Sequence, residues 1–153
     1  DEAPAFMRGF VQNIILRRAV PFTGTAGVQF VSLTPERVEV RLANEHRVRN
    51  HIGSVHASAM NLLAETATGM AVGMNVRDDC LPLAKELSMA FKKRATGALK
   101  AVATLTAEQR AAMQASDKGE VQVKVTVTDE TGVEPVECAF TWAWVPSSRP
   151  AKN

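Results

Sequence analysis

The residues whose types and spacing are best suited to chemistry lie between Asn50 and Glu65. A polar stretch containing Gly53 leads into a predicted helix, with Ser54 as the expected N-cap and Met74 near the end. Apolar and small residues cover almost its whole circumference, which is typical of a buried helix. A carboxylate in such surroundings must be paired with a partner, kept protonated or used in binding or catalysis, because an uncompensated buried charge costs several kcal/mol. Glu65 is therefore the first candidate functional residue.

The overall composition restricts the class of protein. The 153 residues are enough for one domain with its own core, and we expect a single domain over residues 1–153. A net charge of +2 and 22% charged residues indicate an ordinary soluble protein. The absence of Tyr and the few other aromatic residues argue against a nucleic-acid partner. Every apolar run of membrane-spanning length is interrupted by Asn or Glu, so we expect no membrane span.

The two cysteines, Cys80 and Cys138, have neither the spacing of a metal site nor the density of a disulfide framework. The N-terminal residues lack the pattern of a signal peptide. His46 and His51 have no carboxylate or cysteine at usable metal-ligand spacing. We therefore expect reduced thiols, a cytoplasmic location and no bound metal.

Hydrophobic periodicity predicts the elements that surround this stretch. The strongest pattern is a hairpin, in which two alternating runs at Val121–Val127 and Val136–Trp144 flank turn residues 129–132. Residues 87–91 and 99–105 are expected to form two antiparallel strands across a turn containing Gly97. The other expected elements are a helix over 5–18 that ends before Pro21, a turn at 23–25, strands over 27–33 and 37–42, and a helix over 107–115 with Thr106 as N-cap.

The order of these elements indicates an α+β fold. Clean alternation along the strands predicts a largely antiparallel sheet with one covered face. Only the helix that carries Glu65 is apolar enough to fill a curved sheet. We therefore expect an antiparallel curved sheet wrapped around a long central helix.

This arrangement resembles the hot-dog fold. The loop and helix resemble those of the small acyl-CoA thioesterases of the phenylacetyl-CoA and 4-hydroxybenzoyl-CoA type, whose superfamily includes thioesterase-like members without an assigned function. Their characteristic run is an Asn, a Gly, a His-Gly-Gly that opens the helix, and an acidic residue on the helix. The matching residues are Asn50, Gly53, His56, Ala57-Ser58 in place of Gly-Gly, and Glu65.

The resemblance implies hydrolysis of an acyl-CoA or acyl-carrier thioester, with coenzyme A as part of the substrate and no other cofactor. It implies that the N–H of Ala57 holds the oxyanion at the positive end of the helix. Glu65 is expected to act as general base or nucleophile, and Asn50 to orient the water or the carboxylate. His56 belongs to the same motif, and its ring is expected to tie the loop to the sheet. Gly53 and Ser58 are expected to contact the substrate.

The charged end of coenzyme A requires basic residues at the mouth of such a site. The available cations lie on either side of the helix in sequence, and they are Arg47, Arg49, Lys92, Lys93, Arg94 and Lys100. The alternative is that this cluster is only the solvated end of a strand.

Helix geometry predicts a homo-oligomer. Ala57 and Glu65 are eight residues apart, so the helical rise separates their backbones by roughly 12 Å and turns them to different faces. A site that uses both groups on one carbonyl must take one of them from a second subunit. We therefore expect a dimer, with pairing of dimers into a tetramer left open.

Two other functions fit parts of the pattern. Hot-dog dehydratases and hydratases pair a loop His with a helix Glu fourteen residues later, an interval that His51 and Glu65 share, although their Pro- and Gly-rich segment is absent here. Hydration would make His51 indispensable, whereas hydrolysis requires Asn50 and Glu65. The third possibility is a non-catalytic acyl-CoA binding module.

Overall fold

The structure is a computed structural model that describes residues 5–147. Its helices are α1 (Ala5–Ala19), α2 (Pro21–Ala26), α3 (Ala57–Asn75) and α4 (Ala107–Ala115), with a 3₁₀ turn at His46–Val48. Its strands are β1 (Gln29–Leu33), β2 (Arg37–Leu42), β3 (Cys80–Phe91), β4 (Leu99–Thr104), β5 (Gly119–Asp129) and β6 (Val136–Pro146). No helix within these residues is both long and apolar enough to cross a membrane.

The six strands form one antiparallel sheet in the order β1-β2-β4-β5-β6-β3, and the sheet curves around α3. Alternate side chains of β2, β4, β5 and β6 face α3 and form the core with it. Trp142 on β6 packs against α3, and its indole Nε1–H donates to the Thr68 hydroxyl at 2.8 Å. The predicted α+β fold, with a curved sheet around a central helix, is confirmed.

Individual elements follow the sequence most closely where a strong pattern specifies them. Strand β2 covers Arg37–Leu42 as predicted, and β5 and β6 form the predicted hairpin. Helix α4 begins after Thr106, whose hydroxyl accepts from the Gln109 N–H at 3.1 Å while the Gln109 side chain accepts from the Thr106 N–H. This reciprocal capping box satisfies two donors that the helix itself cannot.

The predicted pairing of residues 87–91 with 99–105 is wrong. Strand β3 begins seven residues earlier, at Cys80, and within residues 5–147 it pairs only with β6, at one edge of the sheet. Strand β4 lies between β2 and β5. Both edges of β4 are therefore occupied, and residues 92–98 carry the chain from the sheet edge to its interior instead of forming a hairpin turn.

The segment predicted as a turn at 23–25 belongs to the short helix α2. Pro21 occupies the first turn of this helix, where its missing N–H costs no hydrogen bond. Gly27 ends it with φ of 81°, a left-handed conformation that favours glycine. Helices α1 and α2 thus form an angled pair beside β1, and this pair flanks α3.

Candidate active site

The loop before α3 is a closed turn organised by Asn50. The Asn50 Oδ1 accepts from the N–H of Ile52 at 3.0 Å and of Ser54 at 3.1 Å, and the Asn50 N–H donates to the Ser54 carbonyl at 2.8 Å. Gly53, at the tip, has φ of 78°. The Asn50 side-chain oxygen therefore holds the loop, while its Nδ2 group has no partner among residues 5–147.

The prediction that Ser54 caps the helix is wrong, because α3 begins at Ala57 and its N-cap is His56. The Nδ1 atom of His56 accepts from the Ser58 N–H at 3.0 Å, so a neutral His56 ring carries its proton on Nε2. The Ser54 hydroxyl instead donates to the Ala95 carbonyl at 3.2 Å. Within the described residues the Ala57 N–H has no acceptor, so it is the available donor at this helix end.

The two sides of α3 have different surroundings, and the prediction of a helix buried all round is wrong. The side toward the sheet is buried and includes Leu63, Ala64 and Ala67. The opposite side, here called the outer face, borders two grooves beside α1 and α2, and it carries Ser58, Leu62, Glu65, Thr66, Gly69 and Gly73. Because most residues on this face are small or polar, they leave open space above the helix, whereas the opposite side packs against the sheet.

Glu65 is half-buried on this outer face. Its carboxylate forms no hydrogen bond or ion pair with any of the residues 5–147. Since a carboxylate buried in the core would need partners, partial exposure explains how Glu65 persists without them. The same exposure leaves both of its oxygens accessible to a ligand.

An apolar groove of about 310 Å³ lies between the α1–α2 pair and α3 and contains Glu65. Its apolar walls come from both helical regions and from three strands of the sheet, β1, β3 and β6. The lining residues are Leu16, Ala19, Val20, Thr23, Phe30, Leu62, Glu65, Thr66, Gly69, Met70, Gly73, Pro82 and Trp142.

A second, basic groove of about 250 Å³ lies beside it, near the start of α3. It includes His56, Ser58, Arg47 and Arg49, and Leu62 lines both grooves. Arg49 is held in place because its Nε donates to the Asn44 Oδ1 at 3.0 Å and its Nη2 to the Asn44 carbonyl at 2.8 Å. The outer face of α3 therefore joins a basic region to an apolar one.

The other predicted cations lie outside these grooves. Arg94 braces the loop, since its Nη2 donates to the Ile52 carbonyl at 2.9 Å. The N–H groups of Lys92 and Lys93 donate to the Pro135 carbonyl, and their side chains are exposed. Of the predicted site residues, Arg49, His56 and Ser58 therefore lie together in one chain. Asn50, Gly53 and the three cations at 92–94 lie outside both grooves.

The N-terminal helices contribute to the apolar groove in a way that their own sequence does not indicate. Leu16, Ala19 and Val20 line the same groove as Glu65, which no local pattern in their own segment indicates. A usable signal exists on α3, where Glu65, Gly69 and Gly73 are four residues apart and so share one side of the helix. Two glycines in line with a carboxylate indicate a helix side that is kept open.

The cysteines do not form a second candidate site. Cys80 and Cys138 are both free thiols. Burial raises the pKa of Cys138 to about 11, which disfavours the reactive thiolate. Within residues 5–147 no three His, Cys, Asp or Glu side chains are grouped to hold a metal ion.

The antiparallel sheet curved around α3, with a carboxylate on that helix, defines the hot-dog class of thioesterase-like proteins. Residues 10–145 match the family described as Domain of unknown function (DUF4442). Because the match spans most of the sequence, the chain belongs to the DUF4442 family. No curated protein has detectable similarity to it.

Solved structures with the same fold include several named as thioesterases. A Pseudomonas aeruginosa protein of unknown function, described as a probable thioesterase, is 25% identical, with a TM-score of 0.80 over 90% of this chain and 95% of its own. A Haemophilus influenzae thioesterase is 13% identical, with a TM-score of 0.73 over 92% and 94% of the two chains. A Shewanella oneidensis protein is 14% identical, with a TM-score of 0.75 over 88% and 94%. At these lower identities the last two show the fold alone.

Proposed function

We propose that this protein is a thioesterase that hydrolyses an acyl-CoA or acyl-carrier thioester with Glu65 as its essential carboxylate. The observation that carries the proposal is the Glu65 carboxylate, which is half-buried in an otherwise apolar groove and has no partner among residues 5–147. A carboxylate that lines a groove and is not held by another side chain is available to act on a ligand bound there. The similarity to a probable thioesterase from P. aeruginosa supports this chemistry.

Each step of hydrolysis has a candidate group. The free N–H of Ala57, at the positive end of α3, can donate to the oxyanion that forms when the thioester carbonyl is attacked. Glu65 takes a proton from the attacking water, and the proton passes to the thiolate that leaves when the C–S bond breaks. In the covalent alternative Glu65 attacks the carbonyl itself, the thiolate leaves, and water then hydrolyses the resulting anhydride. The unpaired Nδ2 of Asn50 can donate to the water or to the carboxylate, since its Oδ1 is occupied by the loop.

These groups require two subunits. Ala57 and Glu65 are eight residues apart, so about 12 Å of helical rise separates them. Strand β3 offers a contact surface because one of its edges is unpaired. Its Leu87 and Phe91 are 45% and 55% exposed, although they are in register with the buried Phe140 and Val136 of β6. A second copy on this edge would cover them and complete two equivalent sites.

The basic groove is the proposed site for the carrier. Arg47 and Arg49 can bind phosphate groups beside His56 and Ser58. Lys92, Lys93 and Arg94 lie outside this groove in a single chain, so their contribution would depend on a partner copy. The test of this part is whether Arg49→Ala raises the KM for an acyl-CoA more than that for the matching acyl-pantetheine, which lacks the nucleotide phosphates.

The decisive experiment measures thiol release from short, medium, long and aromatic acyl-CoAs by the wild-type protein and Glu65→Gln. We expect turnover on part of the panel and a loss of about 10²–10⁴-fold in Glu65→Gln, the usual contribution of a general base. Glu108→Gln is the matched control, because Glu108 is an exposed glutamate on α4 and lines neither groove. Full activity of a well-folded Glu65→Gln protein would refute the proposal.

The same experiment separates the alternatives. An absence of thiol release together with hydration of an enoyl-CoA that depends on His51 would select a dehydratase or hydratase. Tight acyl-CoA binding without either reaction would select a binding module.

Sedimentation analysis of the wild-type protein tests the site shared between two subunits. A monomer with full turnover would contradict the shared site, and the same data distinguish a dimer from a tetramer.

A further inference from the structure

We propose that the apolar groove between the α1–α2 pair and α3 binds the acyl chain, and that Gly73 keeps one end of this groove open to longer chains. This inference rests on the proposed thioesterase function for the identity of the ligand. It adds a role for the N-terminal helices, which supply one wall of the groove.

The groove has almost no unsatisfied polar groups apart from Glu65. The Thr23 hydroxyl donates to the Val20 carbonyl at 2.7 Å, and the Thr66 hydroxyl donates to the Leu62 carbonyl at 2.6 Å. The indole N–H of Trp142 donates to Thr68 at 2.8 Å, so Trp142 presents the apolar part of its ring. A ligand with polar groups along its length would find no free donors here, whereas an apolar chain with one reactive end fits.

The two glycines give the groove one closed wall and one open end. A Cβ at Gly69 would lie 2.7 Å from the Trp142 ring, so this ring is packed directly against the helix backbone. At Gly73 the nearest atom to an added Cβ is Pro82 Cγ, at 3.8 Å, so space remains beyond it. From Glu65 to Gly73 the groove follows α3 over about 12 Å of helical rise. A chain whose carbonyl lies at Glu65 therefore extends past Gly69 toward Gly73.

The charges set the direction of the substrate. Among the described residues no Lys, Arg or His lines the apolar groove, whereas Arg47 and Arg49 line the basic groove on the other side of Leu62. The phosphates of a carrier would be poorly bound beside Glu65, because a carboxylate repels them. The acyl chain and the carrier therefore occupy different grooves, and the thioester lies between them near Leu62.

The test fills the open end with Gly73→Leu. Leucine has a higher helix propensity than glycine by up to about 1 kcal/mol, so the substitution is compatible with α3. We expect the ratio of kcat/KM for palmitoyl-CoA to kcat/KM for butyryl-CoA to fall at least about tenfold, because the leucine occupies space that the longer chain needs. Gly9→Leu is the matched control, since Gly9 is also helical, has nothing within 4 Å of an added Cβ, and lines neither groove.

A binding assay keeps this inference separate from catalysis. The chain has two tryptophans, and Trp144→Phe leaves Trp142, which lines the groove, as the single fluorophore. In that background a brominated fatty alcohol, which carries no charge for Glu65 to repel, should quench fluorescence saturably. Gly73→Leu should weaken its binding at least about tenfold, while Gly9→Leu leaves it unchanged.

Turnover with an unchanged chain-length ratio in Gly73→Leu would overturn the groove assignment and leave the thioesterase proposal standing. Saturable quenching without turnover would support the groove and refute hydrolysis. Absence of saturable quenching in the Trp144→Phe protein would overturn the groove assignment whatever the activity.

Discussion

The inner and outer faces of α3 are built from opposite kinds of residue. Leu63, Ala64 and Ala67 on the inner face are fully buried against the sheet. The outer face carries Glu65 and two glycines in line with it, and it borders open grooves. The same helix therefore contributes packing on one side and access on the other. Mutations on the two faces should accordingly change different properties.

The largest expected effect comes from the inner face. Leu63→Ala should lower the free energy of unfolding by about 2–5 kcal/mol, because it removes buried contacts and leaves a cavity. Thr66→Ala on the outer face should change it by no more than about 0.5 kcal/mol. Urea unfolding at equal protein concentration measures both. If Thr66→Ala cost as much as Leu63→Ala, the outer face would be a packed surface and the contrast would fail.

The second largest loss of stability is expected at the contact between α3 and Trp142. Thr68→Val keeps the shape of the side chain but removes the acceptor of the buried indole N–H, so we expect a loss of about 1–3 kcal/mol. Thermal unfolding followed by tryptophan fluorescence measures it. Adding Trp142→Phe removes the orphaned donor, so the double variant should lose less than the sum of the two single variants. Strict additivity would mean that this hydrogen bond contributes nothing.

Alanine substitutions at the two glycines of the outer face should change the free energy of unfolding in opposite directions. Gly69→Ala should destabilise by about 1–3 kcal/mol, because its Cβ would overlap the Trp142 ring unless the ring moves. Gly73→Ala should stabilise by up to about 1 kcal/mol, since its Cβ makes an ordinary contact and alanine favours the helix. Chemical denaturation measures both, and equal effects would show that the groove does not differ between its two ends.

The smallest effect is expected at the N-cap, where the two faces begin. His56→Ala should cost about 0.5–2 kcal/mol, because the Ser58 N–H loses its acceptor. His56→Asn restores a capping oxygen and should recover most of this loss in thermal unfolding. If His56→Asn is as unstable as His56→Ala, the ring has a structural role beyond capping.

The sequence predicted best the elements that a local pattern specifies. Alternating apolar residues marked β5 and β6, and Thr106 marked the start of α4. Glu65 was singled out by its isolation among apolar residues, and the structure places it half-buried on the outer face and not in the core. In each case the information lies within a few residues of chain.

Long-range arrangement was not predictable in this way. The pairing of β3 with β6 depends on residues far apart in the chain, whereas Gly97 suggested a local turn. His56 was missed as N-cap because Ser54 is the more usual capping residue and lies two residues earlier. The groove wall supplied by Leu16 and Ala19 depends on how α1 docks beside α3, which no pattern within α1 specifies.

The position of β3 also has a consequence for synthesis on the ribosome. Among the six described strands, β3 hydrogen-bonds only to β6, which is translated after the other five. At about 5–20 residues per second, β3 emerges several seconds before its partner. During that interval its Leu83, Leu87 and Phe91 have no β6 to pair with, so nascent chains on one messenger could associate through this strand. The order of translation therefore leaves β3 without any partner strand for longer than any other described strand of the sheet.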